Sequence, residues 1–160
     1  MKALITLILL FVPFTAFGLE KADMVLVIKS EAKLCLVKNE KIFREYSVVF
    51  GAHPNGHKQQ EGDERTPEGR YILDFKNENS AFYKSIHISY PNETDALRAK
   101  ELGVDPGGFI MIHGQKNGYE WLARFTQQFN WTDGCIAVSN SDMDEIWEAV
   151  EIGIPIEIKP

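Results

Sequence analysis

The sequence has very little cysteine and no grouping of metal-binding residues. Cys35 and Cys135 are its two cysteines. The histidines at 53, 57 and 87 show no spacing, with one another or with Cys35, that resembles a zinc site. We therefore predict that the protein binds no metal and uses no cofactor, and that at most one disulfide, Cys35 to Cys135, can form.

Positive charge is also sparse. The chain has 17 Lys and Arg against 23 Asp and Glu, a formal net charge of −6, and it has no polybasic run, repeat or low-complexity segment. Binding to phosphate groups needs a basic surface, so the composition argues against nucleic acid or anionic lipid as the main partner.

One long apolar run is present, at the N-terminus. It extends over residues 3–19 between Lys2 and Glu20, with small residues at Ala16 and Gly18 in the spacing that signal peptidase requires. We predict a signal peptide over residues 1–18, export to the periplasm or cell envelope, and one domain over residues 19–160 with no integral membrane segment after cleavage. A retained membrane anchor is the alternative, although a run of 17 residues containing Pro13 is short for a membrane span.

The first half of residues 19–160 has the pattern of β-strands. Residues 24–50 are rich in β-branched and aromatic residues and are interrupted by short polar turns, which predicts an antiparallel meander. The segment Ala52–Gly69 is a long polar loop with two prolines and three glycines, and loops of that length in compact domains are usually functional or disordered. Further strands are predicted over 70–76 and 85–90.

The second half mixes strands with short helices. A helix is predicted to end at Gly103, a strand over 107–114 to end near His113, and a helix over 141–150 to have Ser141 as its N-cap. Strands are predicted at 135–140 and 153–160. A helix over 119–129 would place one apolar stripe in the core: Trp121, Leu122, Phe125 and Phe129. The predicted class is mostly β with two or three short helices.

The segment WTDGCIAVSN, residues 131–140, places Cys135 in a polar turn directly after Gly134. A thiol acts as a nucleophile when it is a thiolate, which a nearby imidazole or oriented backbone N–H groups favour. His113, 22 residues earlier, ends an apolar strand and is the candidate base. The alternative is a structural disulfide between Cys35 and Cys135.

Three segments resemble the L,D-transpeptidase catalytic domain, also called the YkuD domain. They are MIHG at 111–114, TDGCIAVSN at 132–140 and GDERTPEGRY at 62–71, and the resemblance extends over residues 22–160. It implies a β-sandwich-like fold and peptidoglycan stem peptides as the substrate. It also implies that Cys135 is the nucleophile, that His113 is the general base, and that the carbonyl of Gly114 orients the imidazole.

The resemblance implies further site residues. The backbone N–H groups of Asp133, Gly134 and Cys135 would form the oxyanion hole. Candidate residues of the substrate groove are Arg65, Thr66, Tyr90 and Thr132. For Thr66, turn formation ahead of a strand is the stronger interpretation, because Thr-Pro-x-Gly is favourable turn chemistry.

Two positions depart from the family pattern. Many members have His where this chain has Asp133, and Arg where it has Ala137. A carboxylate beside the thiol would raise the thiol pKa, so we predict that Asp133 pairs with Arg65 or Arg124. Alanine at 137 cannot pair with a substrate carboxylate, which leaves the acyl acceptor open.

Three functions follow from these patterns. The first is a peptidoglycan L,D-transpeptidase that passes an acyl group to an amine of another stem or of a wall-linked lipoprotein. The second is a hydrolase with the same Cys and His residues, which trims stems or releases the lipoprotein. The third is a non-catalytic exported binding module stabilised by a Cys35 to Cys135 disulfide.

Overall fold

The structure is a computed structural model that describes residues 20–160, so the predicted signal peptide lies outside the described residues. Strands β1 (Met24–Ile28), β2 (Lys33–Lys38) and β3 (Lys41–Ser47) form the predicted antiparallel meander. The long polar loop follows, and β4 (Gly69–Ser80) and β5 (Tyr83–Ile88) then form an antiparallel pair.

Helices and short strands complete the chain. The remaining elements are α1 (Glu93–Leu102), β6 (Met111–His113), α2 (Ala123–Thr126), β7 (Ile136–Ala137), α3 (Asn140–Ala149) and β8 (Pro155–Lys159). The class is thus mostly β with short helices, as predicted. Within residues 20–160, no helix is both long enough and apolar enough to cross a membrane.

The eight strands of residues 20–160 belong to one sheet, in the order β3-β2-β1-β8-β4-β5-β6-β7. The last strand, β8, lies in the middle, parallel to β1 and antiparallel to β4. The chain beyond β3 reaches the opposite edge, where Val49 and Ala137 exchange two backbone hydrogen bonds of 3.0 and 2.9 Å. The sheet therefore folds back on itself around one core.

The two faces of the sheet near β6 and β7 differ in character. Ile86 of β5, Ile112 of β6 and Ile136 of β7 are fully buried in the core and pair across neighbouring strands. Side chains alternate along a strand, so the residues on either side of these isoleucines face away from this core. Those residues include Met111 and His113.

Several element boundaries differ from the predictions, and two of the differences have a clear physical cause. The N-cap of α3 is Ser139, whose hydroxyl accepts from the Asp142 N–H at 3.1 Å, and Ser141 lies inside the helix. The strand predicted over 107–114 is reduced to Met111–His113, because Phe109 has a left-handed φ of 54° that interrupts the extended backbone.

The predicted apolar helix over 119–129 was wrong. The segment forms a 3₁₀ turn, Glu120–Leu122, followed by the four-residue α2. The exposed fractions of Trp121, Phe125 and Phe129 are 76%, 64% and 65%, so these rings are on the surface. The core is instead filled by the sheet and by α3, whose Met143 and Ile146 are fully buried.

Candidate active site

The register of β6 and β7 places His113 and Cys135 on one face of the sheet. The two strands are parallel, with Ile112 opposite Ile136 and His113 opposite Ala137. Cys135 comes directly before β7 and therefore lies beside Met111, on the same face as His113. The two residues predicted to carry the chemistry are neighbours across adjacent strands.

His113 is held in one orientation. It is 4% exposed, and its Nδ1 lies 2.7 Å from the carbonyl oxygen of Gly114, which can only accept a hydrogen bond. Nδ1 therefore carries the proton, and Nε2 is the basic nitrogen of the neutral ring. Phe82 and Trp131 contact the imidazole, with ring centroids 4.7 and 5.7 Å away. Burial lowers the pKa of His113, and the bond to Gly114 opposes that effect.

The thiol of Cys135 is enclosed by the residues that lead into β6. Its Sγ lies 3.7 Å from the carbonyl oxygen of Phe109. Burial raises the pKa of the Cys135 thiol; the Met111 N–H and the charge of Lys58 lower it, and the carboxylate of Asp133 raises it. The raised thiol pKa and the lowered imidazole pKa both favour a neutral pair at rest.

The turn before Cys135 depends on glycine. Gly134 has φ of 115°, and a Cβ there would lie 2.5 Å from the carbonyl oxygen of Arg65. The Gly134 N–H donates to the Thr132 hydroxyl at 3.2 Å, and that hydroxyl donates to the Cys135 carbonyl at 2.8 Å. The Gly134 amide, predicted to serve the oxyanion hole, is thus engaged in the turn. Within residues 20–160, the amides of Asp133 and Cys135 donate to no other backbone or side-chain oxygen.

Thr66 holds this turn from the long loop. It is fully buried, and its hydroxyl donates to the carbonyl of Gly134 at 2.9 Å. The loop itself is fixed by Lys29, whose ammonium lies 2.8 Å from Glu68 and 3.2 Å from the Thr66 carbonyl. The Thr66 side chain therefore has neither of its two predicted roles, contact with substrate in a groove or formation of a local turn. It links the long loop to the Cys135 turn.

Two other predicted groove residues are not available to a substrate through their side chains. Tyr90 is 3% exposed and donates its hydroxyl to the Pro106 carbonyl at 3.1 Å, while its ring packs edge-on against Tyr71. Thr132 is 5% exposed, and its hydroxyl is engaged in the two hydrogen bonds of the turn before Cys135. Of the four predicted groove residues, Arg65 alone is half-buried and reaches the surface.

The predicted pairing of Asp133 with an arginine was wrong. None of the ion pairs formed within residues 20–160 includes Asp133. Asp133 instead lines a cavity of about 270 Å³ together with Lys58 and Ile110. The ammonium of Lys58 is itself paired with Asp63 at 2.8 Å. The charge of Asp133 therefore acts on the thiol without direct neutralisation.

Both cysteines are free thiols, so the predicted alternative of a Cys35 to Cys135 disulfide was wrong. Cys35 is fully buried within β2, where it pairs with Leu26 of β1 and Glu45 of β3. Cys135 lies next to β7, at the other end of the strand order. Within the described part of the chain, no three His, Cys, Asp or Glu side chains come together in a way that could hold a metal ion.

Fold and site together define a sheet-based domain with a cysteine and a histidine on adjacent strands. The family model described as "L,D-transpeptidase catalytic domain" (YkuD) matches residues 22–158. The chain belongs to this family.

Individual relatives agree with this assignment. YafK of Escherichia coli K12, named as a candidate L,D-transpeptidase, is 33% identical over 98 residues, which are 59% of this chain and 32% of YafK. YqjB of Bacillus subtilis 168, named in the same way, is 26% identical over 138 residues, 84% of this chain and 69% of YqjB. The chain thus spans about a third of YafK.

Solved structures show the same fold. The helical cell shape determining protein Pgp2 of Campylobacter jejuni superposes with a TM-score of 0.63 at 25% identity, over 86% of this chain and 48% of Pgp2. Bd1075 of Bdellovibrio bacteriovorus superposes with a TM-score of 0.58 at 21% identity, over 88% of this chain and 51% of that protein.

Three carboxylate partners of histidine were missed by the sequence analysis. Nδ1 of His87 lies 2.6 Å from Asp74, Nε2 of His57 lies 3.0 Å from Asp95, and Nδ1 of His53 lies 3.1 Å from Glu64. The separations along the chain carried no signal, because strand register and loop packing create these pairs. The contact of Thr66 with Gly134 was missed for the same reason.

Proposed function

We propose that this protein is a peptidoglycan L,D-transpeptidase that uses Cys135 as its nucleophile and His113 as its general base. The observation that carries the proposal is the position of both side chains on one face of adjacent strands, with His113 Nδ1 held by Gly114 so that Nε2 is the base. The family acts on stem peptides of peptidoglycan and its members are generally enzymes of the cell envelope, so export of this chain is part of the proposal.

The order of the proton transfers follows from a Cys135 thiol and a His113 imidazole that are both neutral before the reaction. The Cys135 thiol gives its proton to Nε2 of His113 as Sγ attacks the carbonyl on the L-centre of residue 3 of a tetrapeptide stem. The N–H groups of Cys135 and Asp133 are the donors for the oxyanion. Collapse of the intermediate breaks the peptide bond, and the imidazolium of His113 protonates the D-Ala amine as it leaves.

The second half of the reaction reverses these steps. An acceptor amine, from a second stem or from a lysine of a wall-linked lipoprotein, attacks the thioester carbonyl while Nε2 of His113 takes a proton from it. The Cys135 thiolate leaves and is reprotonated by His113. The acyl group ends on the acceptor, and the enzyme returns to its starting state.

Hydrolysis is a second candidate, and a specific residue favours it. Ala137 is fully buried at the position where many members have Arg, so no guanidinium lies there to pair with a carboxylate of an acceptor stem. Water would then replace the amine in the second half of the reaction, with His113 as the base.

The test is mass spectrometry of purified disaccharide-tetrapeptides incubated with the protein and with its Cys135→Ala variant. Cys35→Ala is the matched control, because it removes the other thiol. Stem dimers that have lost one D-Ala, formed by the protein and by the control but not by Cys135→Ala, are expected. Monomeric tripeptides alone would favour the hydrolase, and unchanged tetrapeptides would contradict both.

A further inference from the structure

A β-bulge in β4 reorients two side chains near the candidate active site. Leu73 pairs with Ile88 and Phe75 with His87, so Asp74 is one extra residue opposite a continuous partner strand. Leu73 and Ile88 face the core, whereas Phe75 shares the other face with His87. The extra residue lets the Asp74 carboxylate reach His87 Nδ1, at 2.6 Å.

This other face is the face that carries the Cys and His pair. His87 lies opposite Met111 across β5 and β6, and Cys135 lies beside Met111 on the far side. Neighbouring strands are about 4.8 Å apart, so His87 and Cys135, two strands from each other, are roughly 10 Å apart at the backbone. A peptide that reaches the thiol with one group can reach His87 with another.

The cluster around His87 combines one carboxylate, one free ring nitrogen and two aromatic rings. The imidazole stacks on Phe75 at a centroid distance of 4.5 Å and an interplanar angle of 14°, and Phe109 approaches it edge-on at 6.0 Å. Phe75 is 40% exposed and Phe109 is 77% exposed. Within residues 20–160, Nε2 of His87 has no hydrogen-bond partner, and it is not among the polar atoms sealed from solvent.

We propose that Asp74, Phe75, His87 and Phe109 form a subsite, called here the amine subsite, that binds the free amino group of the diamino acid in a stem peptide. This inference rests on the proposed function and specifies its substrate. When the ring is neutral and its Nδ1–H is donated to Asp74, Nε2 accepts a hydrogen bond from an ammonium group. The Asp74 charge attracts the same cation, whereas a carboxylate ligand would be repelled by Asp74.

The reach of the substrate fits this position. When the carbonyl of stem residue 3 is at Cys135, the side chain of that same residue carries an amino group roughly 6 Å from its Cα. With a hydrogen bond of about 2.9 Å beyond that amino group, the reach is close to the separation of about two strands between Cys135 and His87. The amino group of an acceptor stem is instead the nucleophile that attacks the thioester at Cys135, so the amine subsite is assigned to the donor stem.

The test compares two tetrapeptides that carry meso-diaminopimelate or 2-aminopimelate at position 3, the latter lacking only the distal amine. The release of D-Ala is measured with the protein and its His87→Gln and Asp74→Asn variants. His53→Gln is the control, since His53 also pairs with a carboxylate, Glu64, but is 70% exposed in its side chain. Melting temperature and the rate of Cys135 alkylation by iodoacetamide report any structural damage.

A preference of the protein for the diaminopimelate peptide by about tenfold is expected, as one charge-assisted hydrogen bond provides. His87→Gln and Asp74→Asn should reduce that preference to about twofold or less, with alkylation unchanged, while His53→Gln keeps it. A preference in D-Ala release supports binding of the donor stem in the amine subsite; dimer formation is not compared, because 2-aminopimelate lacks the amine that the acceptor reaction consumes. An undiminished preference in His87→Gln would overturn the proposal.

Binding separates this inference from the proposed function. The dissociation constants of both peptides are measured with the Cys135→Ala protein, with and without His87→Gln, which needs no turnover. A preference for the diaminopimelate peptide that His87→Gln removes supports the amine subsite even if the protein releases no D-Ala. Equal affinity of the Cys135→Ala protein for both peptides would overturn the subsite, whatever the outcome for catalysis.

Discussion

Thr66 donates its buried hydroxyl to the carbonyl of Gly134 at 2.9 Å, across 68 residues of sequence. This bond joins the long polar loop to the turn that presents Cys135. Both groups are buried, so loss of the donor leaves a carbonyl without a partner at the position next to Cys135.

Thr66→Val should therefore destabilise the protein and weaken the site. The substitution keeps the shape and removes the donor, which we expect to cost about 1–3 kcal/mol in the free energy of unfolding. Thr66→Ser is the control because it keeps the hydroxyl. Denaturant unfolding gives the stability, and the alkylation rate of Cys135 reports the turn. Equal stability of Thr66→Val and the unsubstituted protein would show that the bond is dispensable.

Gly134→Ala should be more damaging than Gly62→Ala. Both glycines have positive φ, 115° and 75°, but a Cβ at 62 meets no atom within 4 Å, whereas one at 134 lies 2.5 Å from a backbone oxygen. We expect Gly62→Ala to cost about 1–2 kcal/mol from backbone strain, and Gly134→Ala to cost more and to reduce D-Ala release. Similar unfolding midpoints for the two variants would contradict the close packing at Gly134.

Asp133→Asn should make the Cys135 thiol more acidic. The carboxylate raises the pKa of that thiol, so its removal shifts the pH profile of alkylation by iodoacetamide to lower pH and increases the rate at neutral pH. Lys58→Met should shift the profile in the opposite direction, because the ammonium lowers the same pKa. Peptide mapping separates Cys135 from the buried Cys35. Identical profiles for Asp133→Asn and the unsubstituted protein would show that Asp133 has no electrostatic effect.

Substitution of the exposed aromatic residues should leave stability unchanged. Trp121→Ser and Phe125→Ser alter side chains that are 76% and 64% exposed, and we expect changes within about 0.5 kcal/mol in the free energy of unfolding. Leu73→Ala, in the fully buried core, should cost about 2–5 kcal/mol. A large loss of stability in Trp121→Ser would mean that this segment packs more firmly than its exposure indicates.

Local patterns in the sequence identified most strands and singled out the two residues proposed to react. Alternation and turn residues predicted the meander of β1 to β3, and Gly134 before Cys135 marked the turn that holds the proposed nucleophile. The insertion of β8 between β1 and β4 was beyond this reasoning, because strand order depends on packing between distant segments. The helical period at 119–129 was misleading, since the core was already filled by the sheet and α3.

Contacts between distant segments at the site could not be predicted from the sequence for a related reason. The bulge at Asp74 shifts the alternation of β4 by one residue, and the sequence of that strand gives no turn or glycine signal for it. The link from Thr66 to Gly134 depends on how the long loop lies over the sheet. The contacts behind the proposed amine subsite and the support of the Cys135 turn could therefore be found only from the folded structure.

Direct detection of the acyl-enzyme is the measurement that tests the central claim. The protein is mixed with the diaminopimelate tetrapeptide, stopped in acid and analysed by intact mass and peptide mapping. We predict an added mass equal to the tetrapeptide minus D-Ala, attached as a thioester at Cys135, and absent from Cys135→Ala. The same adduct at Cys35, or its persistence in Cys135→Ala, would contradict the assignment of Cys135 as the nucleophile.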